Sequence, residues 1–189
     1  MENIIINNKI IKNMNLLHDI TPGESSKMNV IIEINRGSKN KYEIDKSTGI
    51  IALDRVAHTA QDFPFDYGFV PQTLWDDGDA LDVILLTTHP LHPGVLVRSR
   101  AVAIMSMIDD GDNDDKIIAV PVDDPRWNDV KDLPDINKHT IKEMEHFYST
   151  YKKVQGKEVK VTGFNDRKEA EKAFERGIKL YKDKFPKKN

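Results

Sequence analysis

The chain has 189 residues, 28 Lys and Arg against 31 Asp and Glu, a formal net charge of −3, and no cysteine. That length suits one domain with a core large enough to fold without staples. The missing cysteine excludes a disulfide scaffold, a thiolate zinc site and a cysteine nucleophile, and so small a negative charge excludes coating of nucleic acid by bulk positive charge.

The chain reads as a single domain over residues 1–189, with residues 1–13 a loose leader and residues 183–189 a basic tail. The leader alternates Ile, Asn and Lys and lacks the apolar centre and cleavage site of a signal peptide. The longest apolar runs, residues 83–86 and 117–120, fall far below the roughly 18 residues of a membrane span. These features predict a soluble, cytoplasmic protein without a membrane partner.

Residues 29–34 (N-V-I-I-E-I) are rich in β-branched side chains and predict a strand. Residues 41–45 alternate, with Lys41, Glu43 and Asp45 on one face and Tyr42 and Ile44 on the other. A turn over 46–49 leads into a strand at 50–53, which together make a hairpin signal. Residues 62–71 carry two prolines and a glycine among aromatics and read as ordered but not helical. Further strands are predicted at 81–87, 95–107 and 116–122.

Helices come late. Residues 135–154 place Ile136, Ile141, Met144, Phe147, Tyr148 and Tyr151 mostly at three- and four-residue steps. Residues 166–181 open with Asp166-Arg167-Lys168-Glu169, similar to a capping box with Asp as the cap. Many short strands followed by two helices predict a mainly β, α+β fold: a twisted barrel or sheet with helices packed to one side.

Motif spacing excludes several chemistries. Gly-x-Gly-x-x-Gly, the Gly-x-x-x-x-Gly-Lys phosphate loop, His-Glu-x-x-His and the Gly-x-Ser-x-Gly elbow are all absent. Asp110, Asp112 and Asp114 imitate the start of a helix-loop-helix calcium loop. The sixth position, Asp115, and the twelfth, Pro121, break that pattern. His89 and His92 flank a proline bend, and His139 and His146 share a helix face, so both pairs read as structural or interface residues. Trp75 and Trp127 read as core or loop packing.

The chemistry concentrates in two acidic windows. Asp76-Asp77-Gly78-Asp79-Ala80-Leu81-Asp82 has four acids in seven residues, and residues 109–116 have five in eight. A solvated polar turn explains one such window. Two are harder to dismiss, because carboxylates 4 Å apart repel by about 4 kcal/mol at an effective dielectric near 20. A fold that gathers them needs a cation or shifted pKa values. All-oxygen sites select hard cations, Mg²⁺ or Mn²⁺ where phosphate shares the ligands. Lys41, Arg55, Lys116 and Lys152, with Tyr67 and Tyr151, arrive from separate elements and suit a phosphate cage.

At these residues the sequence resembles the family I soluble inorganic pyrophosphatases of the bacterial type. Asp77-Gly78-Asp79-Ala80-Leu81-Asp82-Val83 is similar to their Asp-x-Asp-Pro-x-Asp signature, with Ala80 in place of the proline. Further agreement runs in family order through residues 32–34, 41–45, 54–55, 64–69, 93–94, 109–116, 119–121, 147–152 and 161–164. It spans roughly residues 16–182.

The resemblance implies an OB-like five-stranded barrel with two flanking C-terminal helices. It implies hydrolysis of pyrophosphate to two orthophosphates by metal-activated water, without a covalent intermediate. Asp77, Asp82, Asp109 and Asp114 would ligate several Mg²⁺ ions, for which Mn²⁺ or Zn²⁺ could substitute. Asp79 would be the general base. Lys41, Arg55, Lys116, Tyr151 and Lys152 would hold the phosphates, and Tyr67 would orient the region of attack. Glu33 and Glu43 would line the site. A homohexamer is implied, although Thr150 replaces one of two interface histidines and His146 keeps the other. The alternatives are another Mg²⁺-dependent phosphohydrolase on the same scaffold, for nucleotides or polyphosphate, a non-catalytic OB-like binding module, and an inactive calcium-binding relative. The dense aspartates disfavour the binding module by repelling a phosphate backbone, and the complete residue set disfavours an inactive relative.

Overall fold

The computed structural model describes residues 4–6, 9–11 and 14–186, with side chains from residue 14 onward. Much of the leader, and Lys187 and Lys188 of the expected tail, lie outside the described residues. In chain order the strands are β1 (Ile4–Ile6), β2 (Lys9–Ile11), β3 (Gly23–Glu24), β4 (Lys27–Ile34), β5 (Asn40–Ile44), β6 (Ile51–Val56), β7 (Asp66–Phe69), β8 (Asp82–Leu85), β9 (Leu96–Asp109), β10 (Asp112–Asn113) and β11 (Lys116–Pro121). The helix α1 (Lys138–Thr150), the strand β12 (Val159–Asp166) and the helix α2 (Arg167–Lys184) complete the chain. Short 3₁₀ turns lie at Pro125–Trp127, Leu133–Asp135 and Lys153–Gln155.

Five strands close a ring. β4 pairs with β7, β7 with β8, β8 with β11, β11 with β9, and β9 returns to β4. All these pairings are antiparallel except β8 with β11. β3, β10 and β12 extend the ring at its margins. β5 and β6 form a separate two-stranded sheet, the expected hairpin, and β1 and β2 pair with each other. The fold is therefore mostly β with two helices, as the residue pattern predicts.

The strands of the ring are buried on both faces. Val83 and Leu85 of β8 join Ile117 and Ala119 of β11 in a core shared with Ala170, Ala173 and Phe174 of α2. Ile84 of β8 joins Ile118 and Val120 of β11 in a second core with Met144, Phe147 and Tyr148 of α1. Two-sided burial is why these strands read as continuous apolar runs, not as alternation. Trp75 is buried in the α2 core and Trp127 packs half-buried against the α1 core, both as packing residues.

The structure adds to or shifts the predicted elements in several places. Residues 62–71 are ordered and not helical, as expected, and they contain a strand, β7, that the residue pattern does not single out. Gly68 sits there because β4 crosses so closely that a Cβ would lie 1.9 Å from the Ile31 carbonyl oxygen. Glycine thus marks a close backbone approach within a strand, not a break. β12 has no periodic apolar signal, because its register shifts between Val161 and Gly163 and disrupts the alternation. The first helix stops at Thr150, well short of residue 154, with Tyr151 as its C-cap. The second starts where predicted, with the Asp166 carboxylate accepting from Glu169 N at 3.1 Å. It then runs on to Lys184, so Lys182 and Lys184 form its last turn and not a tail. Cations there complement the negative end of the helix dipole.

Candidate active site

One end of the ring collects the charged residues. β8 begins at Asp82 and β11 at Lys116, and these two residues are register partners in the parallel pair. β9 ends at Asp109, and the β10 hairpin returns the chain through Asp114. Tyr67 lies on β7, Glu33 near the end of β4, Lys41 and Glu43 on β5, and Arg55 on β6 opposite Lys41. Tyr151 and Lys152 follow α1 directly.

Of the thirteen expected site residues, all but Arg55 and Lys116 line one cleft of about 510 Å³. Arg55 is the register partner of Lys41 and pairs with Asp54, which also stands 3.7 Å from Lys41 Nζ. Lys116 lies beneath the cleft and is 2% exposed. Its ammonium donates to Asp82 Oδ2 at 2.8 Å and to Asp114 Oδ1 at 2.7 Å, and lies 5.4 Å from the Tyr67 ring and 5.9 Å from the Tyr148 ring. Burial alone would lower its pKa, but Asp82 and Asp114 hold it well above the usual lysine range. The ammonium therefore stays charged in an apolar setting.

The carboxylates are crowded. Burial pushes the Asp114 carboxyl up to about 7, with Asp82 and Asp77 adding to the rise against the pull of Lys116. Burial also raises Asp77, and it raises Glu33 well above the usual range, with help from Asp82. Glu33 accepts a bond from Ile44 N at 2.8 Å, which ties the β5–β6 sheet to the ring. The Tyr67 hydroxyl donates to Asp82 Oδ2, and burial keeps this phenol protonated far above its ordinary pKa. Such pKa elevation marks uncompensated negative charge in a poorly solvated place.

These groups suit a hard cation in kind. The donors are all carboxylate oxygens, and Asp109 Oδ1 is buried without a hydrogen-bond partner among the described residues. Its other oxygen accepts from Lys152. Among the described residues no three such groups stand close enough to share one ion in this arrangement. Lysine ammoniums occupy the spaces between them: Lys46 on Asp79, Lys116 on Asp82 and Asp114, Lys152 on Asp109.

The acidic turn is shaped locally. Gly78 adopts φ +85°, a left-handed conformation that other residues enter only at a cost. The Asp77 carboxylate accepts from Asp79 N at 3.0 Å. Lys46 and Tyr148 stand outside the expected set, yet Lys46 lines the cleft and Tyr148 shields Lys116. Lys46 follows Asp45 in the turn between β5 and β6, where strand alternation no longer assigns a face, so the residue pattern does not single it out. No signal in the chain singles out Tyr148 from its apolar neighbours on α1.

Comparison with known proteins agrees with this geometry. The inorganic pyrophosphatase family profile matches residues 30–182. The inorganic pyrophosphatase of Haloferax volcanii is 42% identical over 175 residues, covering 91% of this chain and 99% of its own. The crystal structure of inorganic pyrophosphatase from Thermus thermophilus superposes with a TM-score of 0.85 at 42% identity, covering 89% of this chain and 99% of that one. The inorganic pyrophosphatase of Helicobacter pylori gives 0.82 at 41% identity, over 84% and 95%. A profile match over most of the chain, with full-length relatives above 40% identity, places this chain in the inorganic pyrophosphatase family.

Proposed function

We infer that the chain hydrolyses inorganic pyrophosphate to two orthophosphates in the acidic cleft. The observation that carries this reading is the convergence of carboxylates, lysines and phenols from six separate segments on one cleft. Family membership supports it. Asp77, Asp82, Asp109 and Asp114 would hold divalent cations, Mg²⁺ by preference because every donor is a hard oxygen. Such an ion, when bound, neutralises phosphate charge and makes nearby water more acidic.

The chain's own groups supply the rest. Asp79, at the rim, takes the proton of the attacking water. Tyr67 fixes the Asp82 oxygen to which it donates. Lys41, Arg55, Tyr151 and Lys152 bind phosphate oxygens and stabilise the leaving phosphate. Lys116 acts from behind, holding Asp82 and Asp114 in place and adding its charge to the cleft floor. Glu33 and Glu43 line the wall. We further propose a cytoplasmic homohexamer. The resemblance to the bacterial type supports the hexamer, and the absence of cysteine suits a reducing compartment. Among the described residues no helix is long and apolar enough to cross a membrane. A solution mass six times that of the chain, read by light scattering, is the expected result.

Orthophosphate release from pyrophosphate, with Mg²⁺ and with chelator, tests the activity. Release requires Mg²⁺, and Asp79→Asn lowers kcat by about 10²- to 10⁴-fold. Absence of Mg²⁺-dependent release sinks the activity, whereas full activity in Asp79→Asn sinks only the base assignment. ATP and tripolyphosphate under the same conditions should release far less.

A further inference from the structure

The turn bearing Asp77, Asp79 and Asp82 is closed at its base by two backbone bonds, Trp75 N to Asp79 O at 2.7 Å and Gly78 N to Trp75 O at 3.1 Å. Its tip stands in solvent, with Asp76, Asp77 and Asp79 exposed, while Leu81 is buried and Asp82 mostly so. Position 80 is alanine, so no ring fixes φ there. The Ala80 N–H donates to no group among the described residues. Within the turn the Asp77 carboxylate accepts from Asp79 N at 3.0 Å, and buried Leu81 anchors its far end, so the exposed tip at residues 76–79 is held locally by few bonds.

Its constraint comes from outside. Arg176 on α2 forks onto the neighbouring Asp76, with Nη2 to Oδ1 at 2.5 Å and Nη1 to Oδ2 at 3.2 Å. The same guanidinium stacks over Trp75 at 4.5 Å from the ring centroid, and Trp75 is itself buried. Leu74 N donates to Gly177 O at 3.0 Å, seating the preceding residues on the same helix. On the other side, Asn113 Nδ2 lies 3.5 Å from Asp76 Oδ2. Asn113 is adjacent to Asp114, so Asp76 touches both the helix and the second acidic loop.

We propose that Arg176 is a positioning residue for the cleft: forked onto Asp76 and stacked on Trp75, it sets the turn of Asp77, Asp79 and Asp82 in register with the hairpin of Asp109 and Asp114. A planar guanidinium bonded through two nitrogens fixes direction as well as distance, which a lysine does not. Stacking on a buried ring removes most of the freedom that weakens exposed ion pairs. Arg176 does not line the cleft. Its effect is on where the carboxylates stand before a cation arrives, and the proposal rests on reading those carboxylates as the cation ligands.

Calorimetric titration of the metal-free protein with Mg²⁺ alone tests this. Outer-shell groups that orient ligands directly change metal affinity about 10- to 100-fold, so a support one residue further removed should change it about three- to tenfold. Arg176→Ala is expected to weaken Mg²⁺ binding by that amount, and Asp76→Asn, which leaves the helix untouched, should reproduce the loss. Ala80→Pro restores constraint from within the turn. It should recover at least half of the logarithmic loss in the Arg176→Ala background while changing the otherwise native protein by less than about twofold. A merely structural role for Arg176 lowers melting temperature without this rescue. Unchanged Mg²⁺ affinity in both Arg176→Ala and Asp76→Asn overturns the proposal, as does a loss that Ala80→Pro leaves in full. A native protein that binds no Mg²⁺ removes the underlying reading, and the proposal with it.

Discussion

The two acidic turns look alike in sequence and are held in opposite ways. The first, residues 76–82, exposes Asp76, Asp77 and Asp79 at its tip, where Lys46 and Arg176 restrain it from outside, and buries only its end, where Leu81 and Asp82 enter β8. The second, residues 109–116, closes over buried Lys116 and half-buried Lys152, and Asp114 is 9% exposed. Exposed charge is screened by water and costs little to gather. Buried charge is not, so Asp114 protonates at about 7 while Lys116 is held charged beneath it. An aspartate-rich turn is therefore not one kind of object. Its energetics depend on what packs under it.

The largest test breaks the buried half. Lys116→Met removes the buried cation paired with both Asp82 and Asp114, and losing a buried partner typically costs about 3–5 kcal/mol. Urea unfolding of the metal-free protein should show that loss, and saturating Mg²⁺ should recover much of it. A change under 1 kcal/mol would mean that the two carboxylates are solvated after all.

A pH series separates the two turns next. A carboxyl raised from its unfolded value near 4 to about 7 binds protons more strongly in the folded chain. Its contribution is present at low pH and declines as pH rises from 4 through 7, on the order of 4 kcal/mol in all. Metal-free protein should lose stability between pH 5 and pH 8, and Asp114→Asn should flatten that slope. Asp76, held below the usual range chiefly by its bond to Arg176, has the opposite sign and acts only in acid.

Smaller effects belong to the exposed turn. Gly78→Ala places a side chain at φ +85° and should cost about 1 kcal/mol of thermal stability, with nothing within 4 Å to add a clash. Lys46→Met removes a pair whose partners are 61% and 54% exposed and should change stability by no more than about 0.5 kcal/mol. A loss for Lys46→Met as large as that for Lys116→Met would erase the contrast between the turns.

Much of the fold is readable in the chain because the ring strands carry long apolar runs and the helices carry three- and four-residue steps. β12 is hidden because its bulge at Gly163 disturbs the alternation, and β7 because its glycine looks like a turn. Of the candidate site, the carboxylates announce themselves by density at Asp77, Asp79, Asp82, Asp109 and Asp114. Tyr148 does not, because a phenol that shields Lys116 has the same apolar spacing on α1 as its neighbours.

By itself the sequence determined which residue types could meet, the order in which they occur and the chemistry they permit. It excluded cysteine chemistry and phosphate-loop binding, and it marked both acidic windows. Only the tertiary structure decided which aspartates are solvated and which are buried. It placed Lys116 beneath the cleft and not on its wall, and it brought Arg176 to Asp76 across 100 residues. The reason is physical: composition and spacing set charge, but burial sets its energy, and burial is a property of how distant segments pack.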